Sequence, residues 1–148
     1  MVKSDKDCIF CKIVRKEIKS DLIAESNSFV SILDKDQSIK GHALVIPKQH
    51  LVTLLDIPNK FGVEMLDFTK KIASDLMDKR YGDGFNLIMN NLSVAGQQVM
   101  HAHLHVIPRK DSDGLRFLTR VWLLINWTPF NSLMAVGSTI CEQVTNVT

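Results

Sequence analysis

His101, His103 and His105 alternate with Ala102, Leu104 and Val106. In an extended strand, residues two apart point to the same side. Three imidazoles would therefore line one surface while their apolar neighbours face the core. Three of the chain's five histidines fall in this strict alternation, so an incidental surface strand is a poor account of it. Imidazole suits two jobs here. It ligates metals, and it attacks phosphorus to give an adduct labile enough to turn over. Neighbouring donors on the same face would stabilise charge developing on phosphate oxygens. Cys8 and Cys11 form a Cys-x-x-Cys pair, which fits either a redox dithiol or half of a zinc site. The redox reading needs a helix start inside a strand–helix–strand unit, a context this sequence does not offer. The zinc reading needs two further ligands, which His50 and one triad histidine could supply.

The elements around these residues can be read from periodicity. Ile9, Phe10 and Ile13 are spaced to share one side of a short helix or turn within Cys8–Lys16. Leu22–Ala24 and Phe29–Leu33 read as strands joined by a Glu-Ser-Asn-Ser turn. Asp34 to Lys40 is a polar loop, and Gly41 opens a buried strand, His42–Ile46, that Pro47 should stop. Between Asp56 and Gly82 lies the clearest helix, where Phe61, Met65, Phe68, Ile72 and Leu76 build one apolar stripe. Asp56 is the expected N-cap, Pro58 suits its first turn, and Gly82 is placed to end it. Phe85–Met89 and Val99–Ile107 read as strands flanking the loop 90–98. Strands, one long helix, then strands again predict an α+β fold: an antiparallel sheet with one long helix and a short N-terminal helix.

The 148 residues fit one domain of this kind and leave no room for two independent cores. A hydrophobic fraction of 45% and a charged fraction of 23% are those of an ordinary globular protein. A net charge of +2, with no long basic run, gives no reason to expect a nucleic-acid or membrane partner. Three cysteines cannot all pair as disulfides, and the N-terminus carries no secretory apolar run. A reducing cytoplasm is the expected setting. Val2 stands where myristoylation would need glycine. The sequons at Asn91, Asn126 and Asn146 are too common by chance to carry weight. Beyond Asp113 the composition changes. No acidic residue appears from Gly114 to Cys141, and Arg116 and Arg120 flank an apolar stretch ending in Trp122–Ile125. That run is far short of the ~20 residues that span a bilayer, so residues 115–148 are expected to be a packed C-terminal arm or a dimer contact, with 1–114 as the main domain.

Three segments carry a closer likeness: Asp7-Cys8-Ile9-Phe10-Cys11-Lys12-Ile13, the run from Gly41 to His50, and the run from Gly96 to Arg109. In them the sequence resembles the histidine triad family, whose signature His-φ-His-φ-His-φ-φ (φ apolar) falls on His101 to Ile107. The segments keep the family's order and spacing, and together span about Asp7 to Arg109. The resemblance implies a nucleotide-binding domain of histidine triad fold that works as a homodimer. His103 would attack the α-phosphorus of a purine nucleotide conjugate, and water would then release the nucleotidyl-imidazole. His105 and His42 would sit beside the phosphate, and backbone N–H groups around Val99 would contact its oxygens. Asn90 and Gln98 match positions near the leaving group; in relatives the Gln98 position often carries a hydroxyl. Asp34 matches the acid that holds the ribose hydroxyls, for which a carboxylate is suited because it accepts from both. Ile9, Phe10, Ile13 and Ile32 match the walls of the base pocket, although ordinary core packing explains such residues about as well. Lys35 occupies a position near the base that is apolar in some relatives.

The resemblance also implies zinc held by Cys8, Cys11, His50 and His101. Four protein ligands close a tetrahedron, so such a zinc is structural and leaves water unactivated. Cys141 has no partner in this scheme, and the segment after Gly114 matches no family pattern. The leading expectation is a hydrolase of nucleoside phosphoramidates or related nucleoside monophosphate conjugates. Hydrolysis of dinucleoside polyphosphates is the alternative, and the Cys-x-x-Cys pair points away from that branch. A non-catalytic nucleotide-binding or scaffold protein is the third reading, which the intact triad disfavours. The nucleotidyltransferase branch is disfavoured by Ala102 and Leu104-His105, which stand where it places Pro and Gln.

Overall fold

The computed structural model describes residues 4–36, 39–111 and 113–114. The expectations about the arm 115–148, including Trp122–Ile125 and Cys141, lie outside the described residues. Contacts divide the chain after Asp111, and the first unit is the one described below.

Five strands form one antiparallel sheet in the order β1-β2-β3-β5-β4, as the pattern of elements predicts. They are β1 (Leu22–Glu25), β2 (Phe29–Leu33), β3 (Ala43–Pro47), β4 (Gly84–Ile88) and β5 (Leu104–Arg109). The central strands β2 and β3 are buried nearly throughout, because both faces of the sheet are covered. On one face Phe29, Ala43, Val45 and Val106 pack against Phe68, Ile72, Ala73 and Leu76 of α2 (Gly62–Asp78). On the other, Val30, Ile32, Leu44 and Ile46 pack against Phe10 of α1 (Ile9–Val14). Alternation along each strand divides the residues between these two layers. Among the described residues no helix is long and apolar enough to cross a membrane.

Three sequence expectations need correction. The long helix begins at Gly62, not near Asp56. The Asp56 carboxylate accepts from the Thr53 N–H (2.8 Å) and hydroxyl (2.9 Å), closing a capping box on a short 3-10 turn, Leu54–Asp56. Pro58 is extended and precedes a second such turn, Asn59–Phe61. The expected stop at Gly82 is pre-empted as well. Arg80 takes a left-handed conformation, φ 57°, with Arg80 N–H donating to Met77 O and Tyr81 N–H to Leu76 O. That is a Schellman ending with arginine in the place glycine usually takes. Gly82 is needed for another reason: a Cβ there would lie 2.6 Å from the Arg109 backbone nitrogen.

The third correction bears on the site. The strand expected over Val99–Ile107 is regular only from Leu104. Upstream, the Ala102 N–H donates to Leu51 O and the His101 N–H turns back to Val99 O. The 97–103 segment therefore packs on the residues that follow β3 and does not extend the sheet. Pro47, read as the stop of β3, is its last paired residue, opposite Phe29.

Candidate functional site

His105 lies on β5 opposite Leu44 and Ile88, and so faces the α1 side of the sheet. The chain reaches it through His101 and His103, which the departure from strand geometry buries at 0% and 6% exposure. All three rings still share one side, as the alternation predicts. His103 and His105 have ring centroids 4.9 Å apart, and Phe10 of α1 meets His101 and His103 edge-on. His101 and His103 are buried beside the sheet's second core, while His105 is half-buried.

Hydrogen bonds fix two tautomers. A carbonyl can only accept, so the 2.7 Å contact from His103 Nδ1 to His101 O puts the proton on Nδ1. The Nε2 lone pair is then available. By the same reasoning His101 Nε2 donates to Pro47 O at 2.9 Å, which turns His101 Nδ1 toward the cysteines. His42 reaches the same place from the start of β3. Gly41, at φ 82°, packs so tightly on Tyr81 that an added Cβ would lie 2.6 Å from the ring. His42 Nε2 then meets His105 Nδ1 at 2.9 Å. Asp34, hydrogen-bonded through its N–H to His42 O, brings its carboxylate to 3.7 Å from His42 Nδ1.

Burial holds both partners toward the neutral form. It pushes the His105 pKa down to about 4, helped by the neighbouring His103 and His42 and opposed by Asp34. The His42 pKa is lowered by burial, with Asp34 and Asp36 pulling the other way. An anionic phosphate arriving beside this pair would favour protonation.

The second cluster is Cys8, Cys11, His50 and His101, whose ligand atoms all lie within 4.8 Å of one another. Cys8 Sγ is 3.4 Å and Cys11 Sγ 3.6 Å from His101 Nδ1, and Cys11 Sγ is 3.3 Å from His50 Nδ1. Zinc–sulfur and zinc–nitrogen bonds at tetrahedral angles place the two donors about 3.5 Å apart. Two thiols and two imidazoles at these separations fit a four-coordinate zinc.

The remaining expected residues divide. Phe10 and Ile32 share the α1-side core, with Ile13 and Val99 packed against it. Ile9 is 46% exposed and stands apart from its expected helix face. Asn90 donates to Gly96 O at 3.4 Å, while Gln98 is exposed. Sequence reasoning missed the Asp34–His42 pairing, since nothing in the spacing of those residues announces a hairpin contact. It also missed Gln97, a loop glutamine that is buried.

A family described as HIT domain matches residues 15–112. The chain is 38% identical over 107 residues to the adenosine 5'-monophosphoramidase HNT1 of Saccharomyces cerevisiae, covering 72% of this chain and 65% of that protein. It is likewise 38% identical over 109 residues to the adenylylsulfatase HINT3 of Arabidopsis thaliana, covering 74% of this chain and about half (55%) of that protein. Among solved structures, a zinc-bound histidine triad family protein from Mycobacterium smegmatis superposes with a TM-score of 0.67 at 38% identity, covering 75% of this chain and 81% of that one.

Proposed function

The chain belongs to the histidine triad family, and from that membership we propose that it hydrolyses nucleoside phosphoramidates or related nucleoside monophosphate conjugates. The observation that carries this reading is the His103 tautomer. With Nδ1 donating to His101 O, Nε2 is left with its lone pair to serve as the nucleophile, beside a histidine pair suited to a phosphate. The names of the yeast and Arabidopsis relatives support an adenylyl group as the part transferred.

In this mechanism His103 Nε2 attacks the α-phosphorus. The bond from phosphorus to the leaving nitrogen or oxygen breaks, its electron pair goes to the leaving group, and a proton follows. His105, backed by His42, stabilises the charge on the phosphate oxygens and moves that proton. Water then attacks the same phosphorus, the P–N bond to His103 breaks, and the nucleoside monophosphate leaves. Backbone N–H groups around Val99 hold phosphate oxygens, while Asn90 and Gln98 line the leaving-group side. Asp34 accepts from the ribose hydroxyls, and Ile9, Phe10, Ile13 and Ile32 wall the base, for which a purine is our choice.

Zinc belongs to the same proposal: Cys8, Cys11, His50 and His101 would hold it, and four protein ligands would leave it a structural tie between α1 and the triad. So does a cytoplasmic setting. A homodimer is proposed through the outer strand β4, where Phe85 and Leu87 are 46% and 48% exposed on an edge that no further strand pairs among the described residues. Sedimentation showing a monomer at micromolar concentration would reject it.

Turnover of adenosine phosphoramidate, compared with diadenosine triphosphate and adenosine phosphosulfate, tests the reaction. The phosphoramidate should be the preferred substrate. His103→Ala should bind adenosine monophosphate yet lose more than the roughly 10²–10⁴-fold attributed to general acid–base groups. If that variant kept a tenth of wild-type activity, the nucleophile would be wrongly assigned.

A further inference from the structure

Gln97 is a buried side chain that the chemistry above leaves unused. It lies in the loop between β4 and β5, 3% exposed, with its whole amide committed to backbone. Oε1 accepts from the Leu92 N–H at 2.6 Å. Nε2 donates to Val52 O at 2.6 Å and to Val99 O at 3.0 Å. Its own backbone N–H returns to Leu92 O at 3.1 Å. Leu92, held on both its N–H and its carbonyl, adopts φ 67° and ψ 162°. Side chains other than glycine almost never occupy that region. Such backbone persists only where the surroundings over-determine it.

The contact to Val99 leads to the nucleophile. Val99 O also accepts from the His101 N–H at 2.8 Å, and His101 O is the acceptor that fixes His103 Nδ1 at 2.7 Å. Gln97 and His103 thus act on opposite ends of one short turn. We propose that Gln97 is a positioning residue, whose buried amide fixes the tautomer and aim of the His103 ring through Val99 and His101. Without it, Val99 O loses one of two donors, and Val52 O and the Leu92 N–H lose their side-chain partner. The His101 N–H is then left on a less firmly held acceptor, and the Ala102 N–H bond to Leu51 O alone steadies the peptide that carries the His101 carbonyl. Misplacing a reacting group by an ångström costs up to about a hundredfold in rate.

The kinetic part of this inference rests on the proposed reaction; the spectroscopic part does not. Gln97→Leu removes all three side-chain bonds at similar volume. Gln97→Glu keeps the acceptor for Leu92 and removes the donors, which covers the case in which the leucine variant does not fold. Both are studied in the full chain, with zinc content measured. Nitrogen NMR of the wild-type imidazoles should find His103 as a single Nδ1–H tautomer, and the variants should show the two tautomers mixed. Their kcat on adenosine phosphoramidate should fall about tenfold to a hundredfold, with adenosine monophosphate affinity close to that of wild type. If His103 keeps its wild-type nitrogen shifts in a folded variant, or kcat stays within about twofold, Gln97 only staples the loop and the inference fails. A wild type inactive on every nucleotide conjugate would overturn the proposed reaction, and the nitrogen shifts alone would still decide the role of Gln97.

Discussion

At the scale of single residues, the triad is held by its hydrogen bonds: His101 Nε2 donates to Pro47 O, and His103 Nδ1 donates to His101 O. Alternation puts His101, His103 and His105 on one side, and Cys-x-x-Cys puts two sulfurs together as a redox dithiol or half of a zinc site. Which nitrogen is protonated depends on two carbonyls, Pro47 O and His101 O, that no sequence pattern displays. The burial of the rings has a measurable consequence. The His105 pKa falls from 6.5 to about 4, first through desolvation and then through its histidine neighbours. A depressed histidine favours the neutral ring in the fold, so the unfolded chain binds more protons between those values. Its contribution to stability is present above about pH 6.5 and is lost as pH falls toward 4. Urea melts across that window should show stability rising with pH, and His105→Asn should flatten the rise. His42, lowered by burial in the same way, keeps the slope from vanishing in the variant. An unchanged slope would mean that His105 titrates normally.

At the scale of elements, periodicity gave type and face but misjudged ends. The stripe Phe61, Met65, Phe68, Ile72, Leu76 faces the sheet as expected, since a 3.6-residue repeat survives whatever happens at the termini. The helix start was displaced because Asp56 satisfies Thr53 in a 3-10 turn, a local competitor with the same cap chemistry. Its end was hidden because arginine, not glycine, occupies the left-handed position. A non-glycine residue there costs about 1–2 kcal/mol, and glycine gives back roughly 0.5–1 in backbone entropy. Arg80 is exposed, so little packing is at stake. Arg80→Gly should therefore stabilise the chain by about 0.5–1 kcal/mol, visible as a Tm a few degrees higher. A lower Tm would mean that the arginine side chain holds something the backbone account omits.

At the scale of the whole molecule, the Cys8, Cys11, His50 and His101 cluster and the proposed nucleophile, His103, meet at His101. The His101 ring faces the cysteines while its carbonyl holds His103, so zinc could act on the fold, on the chemistry, or on both. The network favours the fold. Cys8 and Cys11 open α1, and His50 and His101 come from segments more than 35 residues away in sequence. Bridging them closes long loops. The peptide of His101 is held separately, through Val99 O and the neighbouring Ala102 N–H to Leu51 O. If the site is structural, metal analysis should find about one zinc per chain. Cys11→Ser should lower that content and drop Tm by about 5 °C or more, because metal-binding energy is coupled to folding energy. The fraction that stays folded should remain active, since the proposed attack by His103 needs no metal-bound water. A redox dithiol would instead give no metal and a reversible Cys8–Cys11 disulfide. A catalytic zinc would give activity lost in proportion to metal while the melting curve stayed put. Metal content, melting and rate measured on the same samples separate the three, and a folded, metal-free protein that regains activity only when zinc is added would overturn the structural assignment.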